Sequence, residues 1–174
     1  MKRIHIVGRK NHGKTTLIVE LIGELTRIGQ KVGVIKHSSH KHELDTPGKD
    51  SHRQRLAGAS PVSIVSDNLI GIYMPRSSGS EFYESLKPLY RNCDLVLVEG
   101  HIDGSGPKLE VWRSSAGEGG PLAENRSDIA AVITDDQAKV SIPVWSRSDI
   151  ERLAERLGRF LEGNGQSWDD GPVR

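Results

Sequence analysis

The chain has 174 residues, enough for one ordinary domain with a sizeable core and too few for two. Its 35% hydrophobic and 27% charged residues suit a polar-surfaced globular protein and argue against a disordered chain or a bundle of membrane spans. With 24 Lys plus Arg against 23 Asp plus Glu, the formal charge of +1 provides no broad basic field for nucleic acid, so any anion site must be local.

The first apolar stretch, Ile4-His5-Ile6-Val7, is too short for a signal peptide and reads as a β-branched strand, so a cytoplasmic location with no membrane span is expected. Residues 15–28 then carry Leu17, Ile18, Leu21, Ile22, Leu25 and Ile28, the spacing of one helical face, with Gly29 placed to end it. Lys31-Val32-Gly33-Val34-Ile35-Lys36 is a second strand, which makes a βαβ unit and predicts parallel strands with a right-handed crossover. Residues 37–49 are polar and predict a long surface loop.

Asp50 and Ser51 are candidate caps for a short helix through Ala57. Residues 62–65 and 69–74 follow as two strands joined by Asp67-Asn68, a predicted hairpin. A helix is expected over 81–90. Leu95-Val96-Leu97-Val98 between Asp94 and Glu99 has the continuous apolar character of a buried central strand, with Cys93 reading as a core residue before it. Residues 108–113 alternate as a strand with Leu109, Val111 and Arg113 on one face and Glu110 and Trp112 on the other, and 117–121 form a glycine-rich loop. Strands are expected at 129–134 and 140–144, and a capped helix at 148–161. The fold class is therefore α/β: an open, mostly parallel sheet with helices on both faces and one antiparallel hairpin. Residues 1–162 are expected to form one nucleotide-binding domain, and 163–174 a flexible tail.

Gly8-Arg9-Lys10-Asn11-His12-Gly13-Lys14-Thr15 matches the phosphate-loop pattern G-x-x-x-x-G-K-[ST], in the strand-to-helix setting that pattern requires. Glycines let the backbone curl so that successive N–H groups converge on an anion, and the helix start adds its dipole. Lys14 would place a cation on the β and γ phosphates, Thr15 would offer a hydroxyl to Mg²⁺, and Thr16 would donate to a nearby phosphate. Ligands collect at the carboxyl ends of parallel strands, so Glu99 is the acid expected at the metal. Asp94, about 16 Å away at ~3.3 Å per residue, is expected to be structural or solvated. Asp45 is a further candidate for the region of Mg²⁺ or the attacking water. His37, His40 and His42 present either solvated histidines or a transition-metal site.

These pieces together resemble the MobB family of molybdopterin-guanine dinucleotide biosynthesis adaptor proteins. The likeness lies in the phosphate loop, Ile35-Lys36-His37 with His40, residues 45–51 leading to Ala57-Gly58-Ala59, Leu95 to Gly100, residues 108–113, and 131–135. The resemblance implies a GTP-binding, weakly hydrolysing homodimer that assists a MobA-type guanylyltransferase in attaching GMP to molybdopterin. It also implies nucleotide contacts from Asn11 to Thr16, Mg²⁺ near Thr15 and Glu99, and an Asp45 loop closing over the phosphates. A small-molecule P-loop kinase, with residues 114–126 as its lid and Arg113 and Arg126 at the ends, and a metallochaperone GTPase using the three histidines are the alternatives. The Asn-Lys-x-Asp guanine signature is missing, which leaves Asp135 or Asp136 as candidate acceptors for the base.

Overall fold

A computed structural model describes residues 1–38, 42–76, 79 and 82–162, with side chains through 159. The predicted tail at 163–174 and His40 lie outside the described residues. β1 (Arg3–Val7), β2 (Val32–Lys36), β5 (Leu95–Glu99), β6 (Lys108–Val111), β7 (Ile129–Ile133) and β8 (Val144–Trp145) form one sheet in the order β2-β5-β1-β6-β7-β8. Every neighbouring pair in it is parallel. β5 is apolar along its length because both of its faces are covered, and Leu95 to Val98 are all buried.

One face of this sheet carries Ile4, Ile6, Leu95, Leu97, Leu109, Val111, Ala131 and Ile133, which join α1 (Lys14–Arg27) and α4 (Ile150–Glu162) in a single apolar core. Leu17, Ile18, Leu21 and Leu25 supply the α1 face, and Leu153, Ala154 and Leu157 that of α4. Each fully buried leucine or isoleucine among them stabilises the fold by about 1.5–3 kcal/mol. α1 ends as expected at Gly29: the Gly29 N–H bonds Thr26 O and the Gln30 N–H bonds Leu25 O, which satisfies the last carbonyls. The other face, bearing His5 and Glu110, is covered by the segment after Gly100 and by the turn at 122–124, which bond to those two side chains.

Contacts divide the chain into two compact units, Met1–Ser38 with Lys87 onward, and Ser39–Leu86. The second unit holds α2 (Asp50–Leu56), the antiparallel hairpin β3 (Val62–Val65) and β4 (Ile70–Tyr73), and α3 (Phe82–Leu86). The hairpin turn is closed by Ser66, whose N–H bonds Leu69 O and whose hydroxyl meets Asn68 and Leu69.

Several local expectations change. The helix predicted over 81–90 is α helix only to Leu86 and 3₁₀ over Lys87–Tyr90, because Pro88 has no N–H to continue the ladder. The strand expected at 140–144 is only Val144–Trp145, since Pro143 can accept from Val132 but cannot donate. Lys49, not Asp50 or Ser51, stands at the α2 cap, and Ser51 is turned inward to bond Asp45. Asp149 caps α4, accepting from the Arg152 N–H at 3.1 Å, while Ser148 is held by Asp135. β6 keeps the two faces expected of it and both are buried, Leu109 and Val111 in the apolar core and Glu110 beneath the turn at 122–124. Cys93, expected in the core, is half-buried.

Candidate functional site

The phosphate loop joins β1 to α1. Gly8 has a φ of 139°, and a Cβ there would collide with the Val111 carbonyl, so only glycine lets the loop pass this close to β6. Asn11 is left-handed at 68°, a conformation its short polar side chain tolerates, and Gly13 at 94° caps α1. No side chain caps α1, so the N–H groups of its first turn remain open for an anion.

Lys10, Asn11, Gly13, Lys14, Thr15, Thr16, Glu99 and Arg113 line a cleft of about 400 Å³ at this helix start. Lys14 Nζ donates to Gly8 O at 2.9 Å and to Arg9 O at 2.7 Å, which holds the ammonium within the curl of the loop. Burial lowers its pKa, Glu99 opposes that shift, and Lys36 adds to it.

Glu99 stands at the carboxyl end of β5, in register with Ile6 and Lys36 on the flanking strands. The Thr15 hydroxyl donates to Glu99 Oε1 at 2.7 Å, and Lys36 Nζ lies 3.4 Å from the same oxygen. A hydroxyl and a carboxylate brought together beside a phosphate loop are the hard oxygen donors that suit Mg²⁺, which completes its shell with phosphate oxygens and water. Lys36 is an addition to the predicted set; its signal was a lysine at the end of the strand beside the central one. Asp94 is structural, as expected, accepting from the Lys31 N–H at 2.8 Å.

Gly8, Arg9 and His12 do not line the cleft. Arg9 donates to Gly120 O and lies against Gly119, so it fastens the loop to the glycine-rich segment. His12 is 2% exposed, and its Nδ1 accepts the Arg113 N–H at 3.1 Å. That bond requires a lone pair on Nδ1. Burial, with Arg9, Lys14 and Arg113 nearby, keeps the His12 pKa below the usual histidine value. His12 therefore braces the loop against the residue after β6.

Asp45 belongs to the second unit. Its Oδ1 accepts from the Thr46 N–H at 2.8 Å and the Ser51 hydroxyl at 3.0 Å, while Oδ2 is buried with no hydrogen-bond partner among the described residues. His42 lies in that unit as well, at the wall of a cleft with Glu43, Arg55 and Tyr73. His37 lies in the first unit, stacked on His101 with ring centres 4.1 Å apart. Among the described residues no group of three or more His, Cys, Asp or Glu is placed to hold a metal ion.

The two candidate base acceptors are engaged in loop-to-loop bonds. Asp135 Oδ1 accepts from the Ser146 hydroxyl at 2.7 Å and the Arg147 N–H at 2.8 Å, and Asp136 Oδ2 accepts from the Ser114 N–H at 2.7 Å. Residues 114–126 are likewise fastened. Glu110 accepts the N–H groups of Leu122 and Ala123, Trp112 donates to Gly119 O, and Arg126 pairs with Asp103 and Asp128. Burial raises the Glu110 pKa, and the two N–H donors act against that. A segment pinned by that many bonds is unlike the swinging lid of a small-molecule kinase.

Comparison with known proteins agrees with this arrangement. A Haemophilus influenzae protein named molybdopterin-guanine dinucleotide biosynthesis adapter protein is 32% identical over 157 residues, covering 90% of this chain and 87% of that one. An Escherichia coli K12 protein of the same name is 30% identical over 153 residues, covering 86% and 87%. The X-ray structure of a MobB protein homolog from Bacillus stearothermophilus superposes with a TM-score of 0.65 at 25% identity, over 93% of this chain and 99% of that one. The family model described as molybdopterin guanine dinucleotide synthesis protein B matches residues 3–135, a span that includes the phosphate loop, Glu99 and Arg113. By that match and by its relatives, the chain belongs to the MobB family.

Proposed function

We propose that this protein is a cytoplasmic, homodimeric GTP-binding adaptor that assists a MobA-type guanylyltransferase in attaching GMP to molybdopterin, with Mg²⁺ as its metal and weak GTPase activity of its own. The observation that carries the nucleotide part is the Thr15–Glu99 contact of 2.7 Å beside Lys14 at the uncapped start of α1. Thr15 and Glu99 would hold Mg²⁺, and the ion would offset charge on the phosphates. Lys14 and the N–H groups of the loop bind and orient the polyphosphate. Guanine is favoured over adenine by the names of the relatives.

Slow turnover follows from the cleft's own chemistry. Glu99 is its one carboxylate among the described lining residues, and it is engaged by Thr15 and Lys36. It is therefore a poor general base. The homodimer is supported by the hairpin unit, where Val65 and Leu69 are each 70% exposed and Ile70 is 68% exposed. An isolated two-stranded sheet is marginal in water, and apolar residues so displayed call for a partner surface. No described helix is long and apolar enough to cross a membrane.

The test is a titration of GTP and of ATP with Mg²⁺ into the purified protein, with and without a molybdopterin guanylyltransferase. Tighter binding of GTP, with turnover far below the ~10 per second typical of enzymes, is expected. Absence of binding, or turnover near that typical value, contradicts the proposal.

A further inference from the structure

Arg113 is the one lining residue of the nucleotide cleft that comes from the strand on the far side of β1 from Glu99. It follows β6, which is fixed to β1 by parallel pairing that includes Val7 with Glu110. Its N–H is held by His12 Nδ1 at 3.1 Å, and its Nη2 donates to Asn11 O. Cζ and Nε lie 3.7 Å from where a Cβ on Gly13 would stand, so the guanidinium runs along the inner turn of the loop.

Several arginines are matched to acids, Arg27 to Glu24, Arg55 to Glu43, Arg126 to Asp128 and Arg147 to Glu20, while Arg9 is spent on the Gly120 carbonyl. Arg113 pairs with no carboxylate among the described residues. A guanidinium has five N–H donors in a planar fork suited to phosphate oxygens, and Asn11 O takes one direction of that fork. An arginine anchored at its backbone and at one nitrogen, facing a cleft with Lys10 and Lys14, has its remaining donors preset for an anion.

We propose that Arg113 is a further nucleotide-binding residue, a phosphate-binding cation delivered to the loop from the end of β6. The inference rests on the reading of the cleft as a nucleoside polyphosphate site and adds to it a residue outside the phosphate-loop motif. His12 then has a defined part: it positions Arg113 through the backbone, and it can do so only while Nδ1 is unprotonated.

The experiment measures Mg²⁺-dependent binding of GTP and GDP to wild type, Arg113→Ala, Arg113→Lys and Lys14→Ala over a range of salt concentrations, with thermal unfolding of each. Arg113→Ala is expected to weaken both nucleotides by about tenfold or more, as for loss of a charged hydrogen bond, and to flatten the salt dependence of affinity. Its unfolding temperature should stay near that of wild type. Arg113→Lys should restore the salt dependence and only part of the affinity, because an ammonium lacks the fork. Wild-type affinity in Arg113→Ala, or weakened affinity with unaltered salt dependence, would overturn the inference. If Arg113→Ala does not fold, Arg113→Lys decides, and wild-type GTP affinity in it is the contrary result. Lys14→Ala separates the two levels: its loss of binding alongside an unaffected Arg113→Ala sinks the arginine alone, whereas a wild type that binds no nucleotide sinks the whole reading.

Discussion

The sheet unit and the hairpin unit solve the problem of burial differently. In the first, both faces of a parallel sheet are covered, and the buried Lys108 and Glu110 are satisfied, Lys108 by Asp128 and Glu110 by two N–H donors. In the second, Ile64, Val65, Leu69, Ile70 and Ile72 stand exposed along the hairpin. A parallel sheet must bury everything to exist, so it makes a rigid frame from which Lys14, Glu99 and Arg113 can be presented. A hairpin can exist half-finished, which suits it to be completed by another chain.

This contrast can be tested by substitution. Leu97→Ala, in the fully buried centre of β5, should destabilise the protein by about 2–5 kcal/mol in denaturant unfolding. A loss below about 1 kcal/mol would mean that the sheet unit is less tightly packed than described. Glu99→Gln should leave the fold intact while removing most of the Mg²⁺ dependence of GTP binding, because the amide keeps the shape but loses the charge. Equal Mg²⁺ dependence in that variant would remove Glu99 from the metal.

A smaller effect comes with pH. His5 and His12 are both held below the usual histidine pKa, chiefly by burial. Below about pH 6.5 the unfolded chain takes up these protons before the folded one does, so stability is complete above that pH and declines as pH falls through it. The urea midpoint should drop between about pH 7.5 and pH 5.5, and less so in His12→Asn. A midpoint that rises on acidification over this window would contradict the assignment. The smallest effect on monomer stability belongs to Ile70→Ser, within about 0.5 kcal/mol. The same change should shift the protein toward monomer in analytical ultracentrifugation, and an unchanged dimer would show that the hairpin is not the interface.

The phosphate loop, Glu99 and the structural character of Asp94 were legible because each has a local signature: a glycine spacing, an acid at one end of an apolar run, a strand length. The parts that were missed are tertiary. Whether Glu110 faces solvent depends on the turn at 122–124 covering that side of the sheet, which no periodicity within 108–113 reports. His12 sits inside the loop motif yet turns away from the cleft, because the Arg113 N–H offers it a buried partner. Pro143 did carry a signal for the shortened β8, and the apolar run around it outweighed that signal.

The central claim is that the start of α1 holds a guanosine polyphosphate through Lys14. Isothermal titration of Mg²⁺ and GTP into wild type and Lys14→Ala measures it most directly. Saturable binding to wild type, with none detectable in a variant whose unfolding curve is unchanged, is the predicted result. Equal affinity in the two proteins, or no heat from either, would contradict it.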